Sequence, residues 1–119
     1  MKIAINPAIG IVLAGLAWSS AAAAQAPAVH FSTFEKQASA CACHLFARSA
    51  MTNHGLHIIE DAGSAILASN NSVVVEAICL PDQRHIRLSA FSADSHAAEM
   101  ARNDIRASIV NARLLDTCP

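Results

Sequence analysis

Four cysteines in a short chain constrain this fold more than any other feature of the sequence. The 119-residue chain contains Cys41, Cys43, Cys79 and Cys118. An even number of cysteines in a small exported domain is typical of a disulfide framework. Because a domain of this size buries only a moderate core, covalent cross-links would supply a large part of its stability. We therefore expect two disulfides.

The expectation of export comes from residues 1–24, which have the organisation of a secretory signal peptide. Lys2 is followed by a mainly apolar segment, and the small residues 22–24 fit the cleavage rule, so cleavage is predicted before Gln25. The uninterrupted apolar run, residues 8–18, has 11 residues, whereas a membrane span needs roughly 20. A retained anchor is therefore the less favoured alternative. We predict a secreted or periplasmic protein without a stable membrane span after cleavage.

Composition then limits what the exported chain can be. Removing 24 of 119 residues leaves 95, enough for one domain. The predicted organisation is an extended leader over residues 25–31 and a single disulfide-stabilised domain over residues 32–119. The whole chain has 8 basic and 9 acidic residues, for a net charge of −1. A dedicated nucleic-acid binder would show a strong basic excess, so no nucleic-acid partner is expected.

The first predicted element is a helix over residues 33–53. Residues 32–35, Ser-Thr-Phe-Glu, match a capping box that would begin this helix. Its apolar face is predicted from spacings of four, three and four residues: Phe34, Ala38, Cys41 and Leu45. Gly55 stands where a left-handed residue would end the helix, with Leu56 placed to contact Met51.

Strands are predicted between residues 57 and 91. The candidates are residues 57–59 and 65–68, which could be two strands or one bent strand, followed by 73–80 and 85–91. Turns are expected at 70–71 and 81–83. Alternation along the last two strands predicts an inward set: Val73, Val75, Ala77, Cys79, Ile86, Leu88 and Ala90.

The last predicted element is a helix over residues 96–115, capped by Asp94 or Ser95. Its predicted buried stripe is Ala97, Ala101, Ile105, Ile109 and Ala112. Short connections favour antiparallel pairing of the strands. The predicted fold is an α+β two-layer sandwich. A three- or four-stranded antiparallel sheet has an N-terminal and a C-terminal helix on one face, in the order α-β-β-β-α.

Helical periodicity suggests a disulfide pairing. Cys41 lies on the predicted apolar face, and Cys43 points about 200° away from it. Cys79 faces inward from its strand. We therefore predict a Cys41–Cys79 bond between helix and sheet, which leaves Cys43 to bond Cys118.

A metal- or thiol-handling site is the alternative use of the same residues. Thiolate and imidazole suit zinc or Cu(I), and the candidate ligands are Cys41, Cys43, His44 and His57. A structural zinc site normally has a regular cysteine pair, which is lacking here. The segment 41–44, Cys-Ala-Cys-His, is also one residue shorter than the haem-attachment motif. Disulfides and a thiolate site exclude each other, so no metal or cofactor is expected.

The remaining patterns favour binding over catalysis. The sequence has no nucleophile elbow, phosphate-binding glycine loop or His-Glu-x-x-His motif. Three apolar residues fall opposite the predicted buried helix faces and could contact a protein partner or a second copy of the chain: Phe46, Val110 and Leu114. The sequence therefore predicts a small exported non-catalytic module that binds a protein or a small ligand, with metal or thiol handling as the alternative.

Overall fold

The fold is α+β, with one antiparallel sheet and two helices. A computed structural model describes residues 27–113 and Cys118. These residues form β1 (Ala28–Glu35), α1 (Ala40–Asn53), β2 (His57–Asp61), β3 (Ala65–Ser69), β4 (Val74–Cys79), β5 (His85–Ser92) and α2 (Ser95–Asn111). The five strands are ordered β1-β5-β4-β3-β2. The predicted signal peptide, residues 1–24, lies outside the described residues.

Strands β2 to β5 form a meander, and β1 is added at the sheet edge beside β5. Each of β2, β3 and β4 pairs antiparallel with the next strand in the chain, and β2 bulges between Ile58 and Glu60. β1 pairs antiparallel with β5 over its whole length, with Ala28 opposite Ser92 and Glu35 opposite His85. None of the helices in the described part of the chain is long and apolar enough to cross a membrane.

β1 corrects the prediction of a helix that begins at Thr33. Residues 28–31, expected as a leader, and residues 32–35, expected as a capping box, are one strand of the sheet. Phe34 is buried opposite Ile86, which holds the strand against the core. The capping-box pattern involves four neighbouring residues, whereas the ladder pairs eight residues with β5. The nonlocal pairing therefore outweighs the local helix signal.

α1 consequently begins seven residues later than predicted. Ser39 is its N-cap, and the Ser39 hydroxyl accepts a hydrogen bond of 3.1 Å from the Ala42 amide. The residues that α1 buries are Ala42, Cys43, Phe46, Ala47, Ala50 and Met51. The predicted face containing Cys41 and Leu45 is wrong, since Phe34 and Ala38, which set its phase, precede the helix.

The predicted end of α1 at Gly55 is confirmed. Gly55 has a φ of +80°, and its amide donates to the Thr52 carbonyl at 3.1 Å. The Leu56 amide donates to the Met51 carbonyl at 3.0 Å. These two bonds are the Schellman pattern, which satisfies carbonyls that the helix end would otherwise leave unpaired.

Both helices cover the same face of the sheet. α1 packs on β2, β3 and β4, α2 packs on β1 and β5, and the helices contact each other. The inward set predicted for the last two strands is confirmed, because all seven residues are buried. The coarse α+β prediction is therefore correct, but the sheet has five strands and the order is β-α-β-β-β-β-α.

α2 begins as predicted and ends earlier. The Asp94 carboxylate accepts from the His96 amide at 2.9 Å, and the helix ends at Asn111, before the predicted Leu115. Of the predicted stripe, Ile105 and Ile109 are buried, and the alanines are only partly buried. Ala98 is the third buried residue of the helix.

Candidate functional site

The structure pairs all four cysteines, in a connectivity that corrects the predicted one. Cys43 bonds Cys79, with the two Cα atoms 6.1 Å apart, and Cys41 bonds Cys118, with the Cα atoms 5.9 Å apart. Cys43 is on the buried side of α1 and Cys41 on the exposed side. The predicted pairs were exchanged because the predicted helix had the wrong phase.

A cavity of about 330 Å³ adjoins the Cys43–Cys79 disulfide. It lies where β4 ends, between the turn to β5 and the segment that joins β1 to α1. Both disulfide cysteines line it, together with the apolar residues Ala38, Ile78, Leu80 and Pro81. Its polar lining residues are Lys36, Ser64, Gln83 and His85. A mostly apolar cavity of this size with a few polar groups is typical of a small-ligand site.

Backbone hydrogen bonds between the segment that follows β1 and the turn that precedes β5 build one wall of the cavity. The Lys36 amide donates to the Arg84 carbonyl at 2.8 Å, and the Ala38 amide donates to the Gln83 carbonyl at 3.1 Å. Gln83 has a φ of 59°, a left-handed conformation that is uncommon for a residue other than glycine. These contacts fix the turn and its side chains against the start of α1.

Asp82 orients His85 at the edge of the cavity. Nδ1 of His85 lies 2.6 Å from Oδ2 of Asp82. The other carboxylate oxygen accepts from the backbone amides of Arg84, at 2.9 Å, and of His85, at 3.0 Å. The hydrogen bond with the His85 ring, followed by that from the Arg84 amide, lowers the pKa of Asp82 below its ordinary value. Asp82 is therefore an ionised acceptor that holds the ring in place.

Lys36 lines the cavity, but its ammonium group hydrogen-bonds to the C-terminal end of α2. Nζ of Lys36 donates to the carbonyls of Val110, at 3.0 Å, and Ala112, at 2.7 Å. It also lies 4.6 Å from the centre of the Phe46 ring. These are favourable positions for a cation, at a helix C-terminus and over an aromatic face. Lys36 therefore joins the end of α2 to α1.

A second histidine–aspartate pair lies on the outer side of α1. Oδ2 of Asp61 is 2.7 Å from Nε2 of His44 and accepts from Arg48 at 2.8 Å, and Oδ1 accepts from the Gly63 amide at 2.9 Å. The amide of Gly63, then the His44 ring, lowers the pKa of Asp61. The four residues connect α1 to the β2–β3 turn, and none of them lines the cavity.

The residues of the alternative metal site are not brought together. Cys41 and Cys43 are in different disulfides, His44 contacts Asp61, and His57 is exposed on the edge strand β2. Among residues 27–113 and Cys118, no group of three or more His, Cys, Asp or Glu side chains is placed to hold a metal ion.

The prediction that Phe46 belongs to an exposed apolar contact surface is wrong. Phe46 is buried, with only 8% of its surface exposed. Val110 is exposed, and Leu114 lies outside the described residues. The other large exposed apolar residues are Val29, Phe31, Ile59 and Met100. Val29 and Phe31 project from the face of β1 opposite that of the buried Phe34, on the side of the sheet that the helices leave uncovered.

Comparisons of the chain with known protein families, with curated proteins and with solved structures each found no match. Asp82, Gln83 and His85 were not among the residues that the sequence marked as functional. The sequence did place a turn at residues 81–83, and an aspartate three residues before a histidine across a turn is the signal that could have indicated their contact.

Proposed function

We propose that the protein is a small exported, non-catalytic module that binds a small, mostly apolar ligand in the cavity beside the β4–β5 turn. The observation that carries this proposal is the cavity itself, about 330 Å³ in volume, with apolar walls and few polar groups. Ligand sites have this character because burial of apolar surface supplies affinity and a few hydrogen bonds supply orientation.

The surroundings of the cavity favour a site that exists before the ligand binds. The Cys43–Cys79 disulfide lies in one wall, and backbone hydrogen bonds from Lys36 and Ala38 to the β4–β5 turn hold another. A preformed site does not have to be ordered when the ligand arrives, which reduces the free-energy cost of binding. The two disulfides also suit an oxidising compartment, in agreement with the proposed export.

A titration with toluene tests this function. The exported protein, labelled with ¹⁵N and with its disulfides intact, is expected to show saturable amide shifts at residues that line the cavity, including Ala38, Leu80 and Gln83. Ala40 is exposed at the start of α1 and lines the cavity. Ala40→Trp should therefore obstruct the cavity and weaken toluene binding by about tenfold or more, equivalent to roughly 1.4 kcal/mol.

Ala107→Trp is the matched control. Ala107 is an exposed helical alanine on α2 and does not line the cavity, so its replacement should leave the toluene affinity unchanged. The proposal would be wrong if the titration produced no saturable shifts, if the shifts were located away from the cavity, or if both tryptophan variants bound toluene as the unmodified protein does.

A further inference from the structure

We propose that the cavity selects uncharged ligands that carry a hydrogen-bond donor, such as a hydroxyl group on an aromatic ring, and that Nε2 of His85 accepts that hydrogen bond. This inference rests on the proposed function, because it names the ligand chemistry of the same cavity.

Asp82 determines which nitrogen of His85 carries the proton. An ionised carboxylate can only accept hydrogen bonds, so Nδ1 of His85, 2.6 Å from Oδ2 of Asp82, must be the donor. In a neutral imidazole the other nitrogen, Nε2, then has a free lone pair. No described residue hydrogen-bonds to Nε2, and His85 lines the cavity. The ring thus offers an acceptor to a ligand.

The charges near the cavity disfavour an anionic ligand. Among the described lining residues, Lys36 is the only one with a permanent positive charge, and its Nζ already donates to the carbonyls of Val110 and Ala112. The neighbouring Arg84 is paired with Glu35 at 3.2 Å. A carboxylate entering the apolar cavity would lose hydration, and the one lining cation among the described residues is already held by two carbonyls at the end of α2, so its entry is unfavourable.

His44 provides an internal comparison. It also contacts an aspartate, but through Nε2, the nitrogen that His85 keeps available. His44 and Asp61 do not line the cavity. Substitutions in the His44–Asp61 pair therefore remove a similar histidine–aspartate contact and leave the proposed ligand site unchanged.

The test compares toluene with 4-methylphenol, which differs by one hydroxyl group. Titrations of the exported protein at roughly pH 8, above the ordinary pKa of about 6.5 for a free imidazole side chain, should give a dissociation constant for 4-methylphenol about 3- to 10-fold lower than for toluene. This ratio corresponds to one neutral hydrogen bond. 4-Methylbenzoate, the anionic probe, should bind more weakly than 4-methylphenol.

His85→Phe should abolish the preference for 4-methylphenol while toluene still binds, and His44→Phe should preserve the preference. Asp82→Asn tests the positioning role of Asp82, with the ¹⁵N chemical shifts of the His85 ring as a readout of the tautomer. We expect the population of the Nδ1-protonated form and the preference for 4-methylphenol over toluene both to decrease. Asp61→Asn is the control and should leave the His85 ring shifts unchanged.

The outcomes separate this inference from the proposed function. Equal affinities for toluene and 4-methylphenol would overturn the hydrogen-bond selection and leave the cavity as a ligand site. A preference that persisted in His85→Phe would overturn the role assigned to His85. Tighter binding of 4-methylbenzoate would overturn the selection of uncharged ligands. Absence of binding by every probe would overturn both proposals.

Discussion

Cys41 and Cys43 stand two residues apart on α1, yet they join the helix to different parts of the molecule. Cys43 is 4% exposed and bonds Cys79 on β4, at the wall of the cavity. Cys41 is on the exposed side of the helix and bonds Cys118, which follows the last helix. Two residues correspond to a rotation of about 200°. The phase of α1 therefore decides which disulfide belongs to the core and which one holds the C-terminal end.

Packing, and not loop closure, distinguishes the contributions of these two disulfides to stability. The Cys43–Cys79 bond spans 36 residues and lies within the 77-residue span of the Cys41–Cys118 bond. Because the inner bond shortens the path that the outer bond must close, the entropic contribution of each is similar, about 4 kcal/mol. Burial distinguishes them, since both cysteines of the inner disulfide are buried in the core, whereas Cys41 is exposed and Cys118 is only partly buried against it.

The largest predicted effect is the loss of the inner disulfide. The double variant C43A/C79A should lower the free energy of unfolding by about 5 kcal/mol, because the lost cross-link is accompanied by a cavity in the core. C41A/C118A should lower it by about 4 kcal/mol, the loop-closure contribution alone, because its surroundings are partly exposed and no core cavity forms. Urea unfolding followed by far-UV circular dichroism measures both, since the predicted mature chain contains no Trp or Tyr.

A larger loss for C41A/C118A than for C43A/C79A would contradict the expectation that burial makes the inner disulfide the more stabilising one. If C43A/C79A fails to fold while C41A/C118A unfolds cooperatively, the same ranking is obtained, with a lower bound on the larger effect.

A smaller effect is expected at the residue that begins α1. Ser39→Ala removes the acceptor for the Ala42 amide and should lower the free energy of unfolding by about 1 kcal/mol. The matched control is Ser49→Ala, at an exposed position in the interior of the same helix, where alanine has the higher helix propensity. Equal losses for the two variants in urea unfolding would contradict the capping role of Ser39.

The smallest effect is expected at Asp61, which ends β2 and contacts His44 and Arg48 on the outer side of α1. Its pKa in the folded protein is lowered from the ordinary value of 3.8, so its contacts stabilise the fold above that pH. This contribution is lost as the pH falls through the lower folded-state pKa. Asp61→Asn should therefore make the urea midpoint less dependent on pH in the acidic range. An unchanged pH dependence would contradict the contribution of Asp61 to stability.

One early error in the sequence analysis explains most of the later ones. The capping-box pattern of residues 32–35 extended the predicted helix into β1, and Phe34 then set the wrong helix phase. That phase placed Cys41 inside and Phe46 outside, and so exchanged the disulfide partners. β4, β5 and the end of α1 at Gly55 were predicted correctly, because side-chain alternation and a left-handed glycine are local signals.

Sequence patterns could not predict the cavity. Its walls come from residues 36–40, from Cys43 and Ser64, and from residues 78–85, which share no periodicity or motif. The contact between Asp82 and His85 is local, but its importance depends on the cavity beside it. A turn of the same sequence on an open surface would be an ordinary solvated hairpin.

By itself the sequence determined the number of cysteines, the inward alternation of β4 and β5, the turns that join them and the end of α1, since each depends on residues close together in the chain. Only the tertiary structure decided that residues 28–35 form a strand, that Cys43 bonds Cys79, and that a cavity forms beside this bond. These features depend on contacts between segments tens of residues apart, in which pairing with β5 and burial in a shared core outweigh the local preference of the chain.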